Sequence, residues 1–156
     1  MTMKSIIFKI GLLAGILDIL AACIQSYLMA NVMPSTVLKY IASGVFGKSA
    51  FTGGFGMQVW GLLFHFVIAF ACTASYFLLY PKINFLKKNW LVNAVLIALV
   101  AWVVTNLIII PMSKIPNHPF SFSKALIALI ILIFSIGLPI SYFAKKFYDR
   151  QKNVSK

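Results

Sequence analysis

The sequence predicts an all-α membrane protein: a four-transmembrane-helix bundle with a short amphipathic helix in the first external loop. Three observations predict this class. The composition is 62% hydrophobic and only 10% charged, far from the roughly 45–50% apolar and 25% charged balance of soluble domains. The apolar residues are gathered into four long runs, each close to the ~20 residues that cross a hydrocarbon core of ~30 Å. The basic residues stand between and beyond the runs, on one side more than the other. Inside lipid each backbone group must pair within its own segment, so such runs form helices. A β-barrel would show alternating segments of about ten residues, and these runs do not alternate. The 156 residues form one four-helix transmembrane domain, 1–156.

The first span covers about 6–29, "IIFKIGLLAGILDILAACIQSYLM". It aligns Gly11, Ala14, Gly15, Asp18, Ala22 and Gln25 on one helical stripe. Small residues mark helix–helix contact in membranes, because lipid supplies no hydrophobic drive for helices to associate. Gly11 and Gly15 form a small-xxx-small pair, which suits close packing within the bundle or between copies. "LAAC", Leu20 to Cys23, matches a lipoprotein cleavage box. Asp18 interrupts the stretch before it, however, and "IQSYLM" continues the span after it, so no lipidation is expected.

The link at about 30–55 is long. Within it "STVLKYIASGVF" sets Leu38, Ile41, Ala42 and Val45 on one face. This is an amphipathic helix, lying on the outer surface or capping the bundle. Then "GKSAFTGGFG" supplies Gly47, Gly53, Gly54 and Gly56, either as a flexible re-entry or as a tight loop over the bundle mouth. "ASGVFGKS", residues 42–49, fits the loose form of a phosphate-binding loop. That loop needs a preceding strand and an acidic metal ligand elsewhere. Here a helix precedes it and the chain's acids are Asp18 and Asp149, so no nucleotide binding is expected.

The second span, about 56–80, aligns Gln58, Gly61, His65, Ala69, Cys72 and Tyr76. The third, about 90–110, aligns Ala94, Ala98, Ala101 and Thr105. The fourth, about 125–143, aligns Ala125, Ala128, Ser135 and Pro139. The four stripes should face one another. The link 81–89 is a short basic turn, and 111–124, with three prolines, is an irregular loop. Cys23 and Cys72 fall near opposite membrane faces, too far apart for a disulfide, and are packing residues.

Ten of the 14 basic residues lie in the N-terminal segment, the 81–89 link and the tail. The positive-inside rule then puts both termini in the cytoplasm. The net charge of +12 therefore marks topology and affinity for the lipid bilayer, not a nucleic-acid partner.

"HFVIAFACTASYFLLYPKI" followed one helix later by "IIIPMSKIP" resembles the small multi-span inner-membrane proteins of the YagU-like kind. Those proteins carry a helix with a His near an "FA…Y" pattern, then a helix ending in a Pro-Met or Pro-Leu turn. The resemblance covers roughly residues 56–120. The chain departs from that pattern in its shorter length, its first external loop and the lack of a matching His in the last helix. The resemblance implies a bacterial inner-membrane protein. It brings no biochemical activity and no catalytic residues.

The candidate site is an intramembrane polar centre. Asp18 is the one acid within a span, ~18 Å into the first helix by the helical rise. His65 lies at a matching depth, ~16 Å from the inner face of a ~30 Å core. An intramembrane acid usually faces the bundle and has a partner, so Asp18 is expected to hydrogen-bond or ion-pair with His65, directly or through water. Gln25, Gln58 and Asn106 would line the space toward the outer face. The pair is either a polar staple between two helices or a proton-responsive or ligand-binding site. His118 is expected to face solvent and to bind no metal. No cofactor, metal cage or enzyme constellation is expected from two acids and two histidines. Two functions fit this reading: a scaffold or accessory subunit of a membrane assembly, or an oligomeric carrier or channel for a small solute or protons. A homo-oligomer or a membrane-protein partner is expected in either case.

Overall fold

The computed structural model describes residues 2–114 and 121–154. The expectation for His118 falls outside them. The described residues build helices and no strand. Four helices are long and apolar enough to cross a membrane: α1 (Met3–Ala30), α4 (Phe55–Leu79), α5 (Trp90–Met112) and α6 (Phe122–Asn153). Between α1 and α4 lie α2 (Pro34–Phe46) and the single turn α3 (Ser49–Thr52). A 3₁₀ turn, Asn84–Lys87, joins α4 to α5.

Local chemistry sets the ends. The Thr2 hydroxyl accepts from the Ser5 N–H at the start of α1. Asn31 ends that helix in the left-handed region, φ 51°, which asparagine tolerates better than most residues. Pro34 opens α2, where its missing N–H costs nothing. Gly47 closes α2 at φ 65°, a conformation that strains a side chain. The Asn89 carboxamide oxygen accepts from the Leu91 N–H at 2.9 Å and starts α5.

The spans match the hydropathy reading closely, with one extension. The last helix runs on to Asn153 instead of ending near residue 143. Its tail, "AKKFYDRQKN", is itself amphipathic: Ala144 and Phe147 are buried while Lys146 and Arg150 are exposed.

The helices are arranged with α1 between α4 and α6, and α6 between α1 and α5. Small residues set these seams. Phe70 and Phe66 of α4 lie on Gly11 and Gly15 of α1, where a Cβ on Gly15 would stand 2.6 Å from the Phe66 ring. The small-xxx-small pair is thus spent inside the bundle. Gly137 of α6 meets the Ala94 carbonyl of α5, and Gly61 of α4 meets the Leu38 carbonyl of α2.

The amphipathic helix α2 is therefore clamped across the N-terminal half of α4. Ala42 and Ser43 are buried there, and Phe46 packs on Trp60 and Phe64 at 5.9 and 6.0 Å. Val45, expected on that face, is instead 50% exposed, because the packed face is rotated toward Ser43 and Phe46. The glycine-rich link is the tight loop of the two alternatives. Ala50 is fully buried, the Lys39 ammonium donates to the Phe51 carbonyl at 3.3 Å, and the Lys114 N–H donates to the Gly44 carbonyl at 3.1 Å. Gly47, Lys48 and Ser49 follow a helix, with no strand before them.

One apolar core gathers at the end that carries both termini. It comprises Ile6, Ile10, Phe77, Ile140 and Phe147 together with Tyr76, Tyr80, Ile97, Ile136 and Ala144. Tyr148 donates its hydroxyl to the Phe77 carbonyl at 2.7 Å, which ties the tail of α6 to α4.

Two widened π turns interrupt the later helices, at Val104–Ile109 in α5 and Ile133–Gly137 in α6. Each lies next to a proline. Pro111 has no N–H for the Leu107 carbonyl, and Pro139 has none for the Ser135 carbonyl. A helix that loses an i→i−4 bond and must avoid the proline ring distorts just before it.

Candidate functional site

The polar centre is built where α1, α4 and α6 meet. The glycine at position 15 lets α4 approach α1 closely and leaves the Gly15 carbonyl open to a side chain. The His65 ring takes that position, with Nε2 2.9 Å from the Gly15 oxygen. A carbonyl can only accept, so Nε2 carries the proton and donates. The ring also sits edge-on to Phe66, with centroids 5.6 Å apart.

Asp18 lies one turn further along α1, half-buried. Its Oδ1 accepts a hydrogen bond from the Ser135 hydroxyl of α6 at 2.8 Å. Ser135 is 4% exposed and belongs to the π turn beside Pro139. The same turn brings Gly137 against α5. One distortion therefore serves two seams.

Asp18 and His65 were expected to hydrogen-bond or ion-pair, directly or through water; among the described residues no direct bond joins them, and each side chain makes one of these two bonds instead. His65 is near enough to act on Asp18 electrostatically, so the two residues share a locality. Their hydrogen bonds run instead to the Gly15 carbonyl and to the Ser135 hydroxyl. The physical reason is competition. A bare glycine carbonyl at the seam is a nearer acceptor for the ring, and the serine offers the carboxylate a donor from the other side.

The remaining expected residues do not converge. Gln25, two turns beyond Asp18, directs Nε2 to the Met29 sulfur of its own helix at 3.7 Å. Asn106, within the π turn of α5, donates to the Trp102 carbonyl at 3.0 Å. Gln58 is half-buried in the first turn of α4. Cys23 and Cys72 are free thiols. Among the described residues no group of three or more His, Cys, Asp or Glu side chains is placed to hold a metal ion.

Two polar residues at the terminus-bearing end were not anticipated as a site. Asn93 is fully buried and donates to the Leu86 carbonyl, which pins the 3₁₀ turn. Its side chain and the Tyr76 hydroxyl are buried beside each other, and neither Oδ1 nor the hydroxyl reaches any other hydrogen-bond partner among the described residues. The available signal was an asparagine within the apolar run "WLVNAVLIALV". Ser135 was visible as a member of the small-residue stripe but not as the partner of the acid.

Between α1 and α6, on the side away from the termini, a groove of about 420 Å³ opens, lined by Ala21, Ile24, Gln25 and Leu28 from α1 and by Ile127 and Ile131 from α6.

No protein-family model, curated protein or solved structure matches the chain.

Proposed function

We propose that the chain is a multi-pass protein of a bacterial inner membrane, of the YagU-like kind, with both termini in the cytoplasm. In this reading it is a scaffold or accessory subunit of a membrane assembly and carries out no catalysis. One observation carries the reading: the acid and the histidine in the middle of the bundle are each committed to a bond between helices. Asp18 is held by Ser135 and His65 by the Gly15 carbonyl, so the polar groups join α1, α4 and α6 to one another. Exposed leucines, isoleucines and phenylalanines on the outer helix faces suit contact with lipid or with a partner's spans.

The test is isolation in a mild detergent, identification of co-purifying proteins, and flux measurement after reconstitution. A stable hetero-complex without flux supports the accessory role. A homo-oligomer with a pH-dependent leak defeats it. Reporters fused after Lys156 and inserted near Lys48 test the topology, which requires opposite sides.

A second reading, an oligomeric carrier or channel for a small solute or protons, draws on the groove between α1 and α6. Asp18 stands on α1 one turn before Ala21, the first residue that lines the groove.

A further inference from the structure

We propose that the corner where α5 begins and α6 leaves the bundle binds the headgroup of an anionic phospholipid, with Trp90 and Tyr142 as its aromatic floor and Lys88 and Lys146 as its cations. The ring pair sets the level. Trp90 opens α5, and its ring meets Tyr142 of α6 edge-on, with centroids 5.5 Å apart. Tyr142 is 43% exposed and Trp90 half-buried, so the pair lines the outside of the bundle. Trp and Tyr gather at the headgroup level of a membrane, where an apolar ring and a polar N–H or O–H are both satisfied. Trp90 meets Tyr142 and Ala94 meets Gly137, so α5 and α6 run in opposite directions. The residues before Trp90 and those after Tyr142 therefore leave the ring pair toward the same, terminus-bearing end. Exposed Lys88 stands two residues before Trp90. Lys146 stands one turn after Tyr142, with its ammonium 5.7 Å from the centroid of that ring.

Depth decides which cation matters most. The headgroup zone is ~5–8 Å deep on each side, from ~40–45 Å of bilayer less ~30 Å of hydrocarbon. Along the helix Lys146 lies ~6 Å beyond Tyr142 and Arg150 ~12 Å beyond it. Lys146 thus reaches phosphate level, and Arg150 lies past it. The tail that carries Lys146 is fixed in place. Phe147 is buried against Phe77, and the Tyr148 hydroxyl donates to the Phe77 carbonyl at 2.7 Å. Charge then selects the occupant. Ten of the 14 basic residues fall in the N-terminal segment, the 81–89 link and the tail, with Asp149 as the one acid among them. Asp149 stands near Tyr80, just past the end of α4, whereas Lys146 stands over Tyr142 at the start of α5. A phosphodiester at headgroup depth brings the negative charge and the acceptor oxygens that two ammonium groups call for. A zwitterionic lipid brings its own cation to a basic corner and is disfavoured. A soluble phosphate lacks the acyl chains that exposed Leu91 and Val95 of α5 offer to meet below the rings.

This site rests on the reading of the helices as membrane spans and is independent of the accessory role. The test uses full-length protein in phosphatidylcholine bilayers, with Trp60→Phe and Trp102→Phe leaving Trp90 as the fluorophore. Brominated phosphatidylglycerol and brominated phosphatidylcholine are compared as quenchers at equal mole fraction. Stronger quenching by the anionic lipid is expected. Lys146→Gln should lower that preference by about fivefold, the weight of one basic residue at an anionic surface. Lys146→Arg should keep it, and Arg150→Gln should change it less than Lys146→Gln does. Lys9→Gln removes the same charge from an exposed place on α1 and should leave the preference as it was. Equal quenching by the two lipids overturns the site. Equal losses from Lys9→Gln and Lys146→Gln also overturn it, because the attraction is then diffuse. Competition by inorganic phosphate overturns it as well, in favour of a soluble anion. Failure of both lipids to quench Trp90 breaks the reading of the spans instead. If the single-tryptophan background does not fold, the difference between wild type and Trp90→Phe gives the same signal.

Discussion

At the end of the bundle that carries both termini, Phe77 and Ile140 are fully buried and Ile6, Ile10 and Phe147 close around them. Toward the other end, no residue of Val104–Ile109 or of Phe122–Leu132 is buried, and α1 and α6 part to leave the groove. The same four helices build both ends. What differs is the placement of small residues and prolines. Glycines at 11, 15 and 137 draw the helices together at and below the polar centre. Beyond it Pro111 disturbs α5, and α2 packs chiefly across α4. In water an open apolar seam would collapse or aggregate. In lipid it costs little, because acyl chains are as apolar as leucine.

The largest effect should come from emptying the tight end. Phe77→Ala removes a fully buried ring and should destabilise by about 3–5 kcal/mol in reversible unfolding from mixed micelles. Leu107→Ala at the loose end, where the side chain is 62% exposed, should stay within about 0.5 kcal/mol. Similar losses from the two variants would erase the contrast between the ends.

Glycine substitutions sharpen the comparison at smaller cost. A Cβ at Gly137 meets the backbone carbonyl of Ala94, so Gly137→Ala should cost about 1–3 kcal/mol through overpacking. At Gly56, in the first turn of α4, a Cβ has nothing within 4 Å. There Gly56→Ala should be neutral or stabilising by up to about 1 kcal/mol, from the entropy that glycine loses on folding. A tolerated Gly137→Ala would mean that the α5–α6 seam can slide.

The polar centre lies at the boundary, and its bonds should be modest. Ser135→Ala removes the donor to Asp18 and should cost about 0.6–1.7 kcal/mol, the range for intramembrane hydrogen bonds. Asp18→Asn keeps an acceptor for the serine and should cost less in stability. If Ser135→Ala unfolds the protein, the staple is the main support of the bundle and not one of several.

How much of this was legible follows from what each signal measures. Hydropathy counts length, so four spans and the place of α2 came from the sequence. It misjudged the end of α6, where the apolar run stops but Ala144, Phe147 and Tyr148 continue the packed face. Composition identified Asp18 as the exceptional residue. Depth arithmetic brought His65 to its level, but depth does not fix azimuth, and a fraction of a turn decides between the Asp18 carboxylate and the Gly15 carbonyl. The π turn beside Pro139 also changes the phase of α6, which straight-helix counting cannot follow. Gln25 and Asn106 took acceptors within their own helices. Such local bonds need no partner helix, and short-range competition of this kind is common for polar side chains. The Gly11 and Gly15 pair was readable as a close contact. Which helix it would meet was not, since a second copy offers the same kind of surface as α4.

The smallest effect distinguishes the ends by charge. Tyr80, just past the end of α4 and 4% exposed, has its phenol raised above the ordinary tyrosine value, first by burial and then by the negative charge of Asp149 and by Tyr148. Tyr40, on α2 at the other end, is raised by burial. In both, the folded state holds the proton more tightly than the unfolded chain does. The associated stability is therefore fully present below the unfolded tyrosine value of about 10, and it is lost as pH rises through the raised folded value. Asp149→Asn removes one cause at Tyr80 and none at Tyr40. The Tyr80 phenolate, isolated by difference absorbance against Tyr80→Phe, should then appear at lower pH, and the alkaline loss of stability should span a narrower window. The Tyr40 signal, isolated in the same way, should not move. A shift of both tyrosines would mean that Asp149 acts through the packing of the whole bundle and not through its charge on the neighbouring ring. No shift of either would mean that water at the terminus-bearing end screens the pair, and that the tight core stops short of Tyr80.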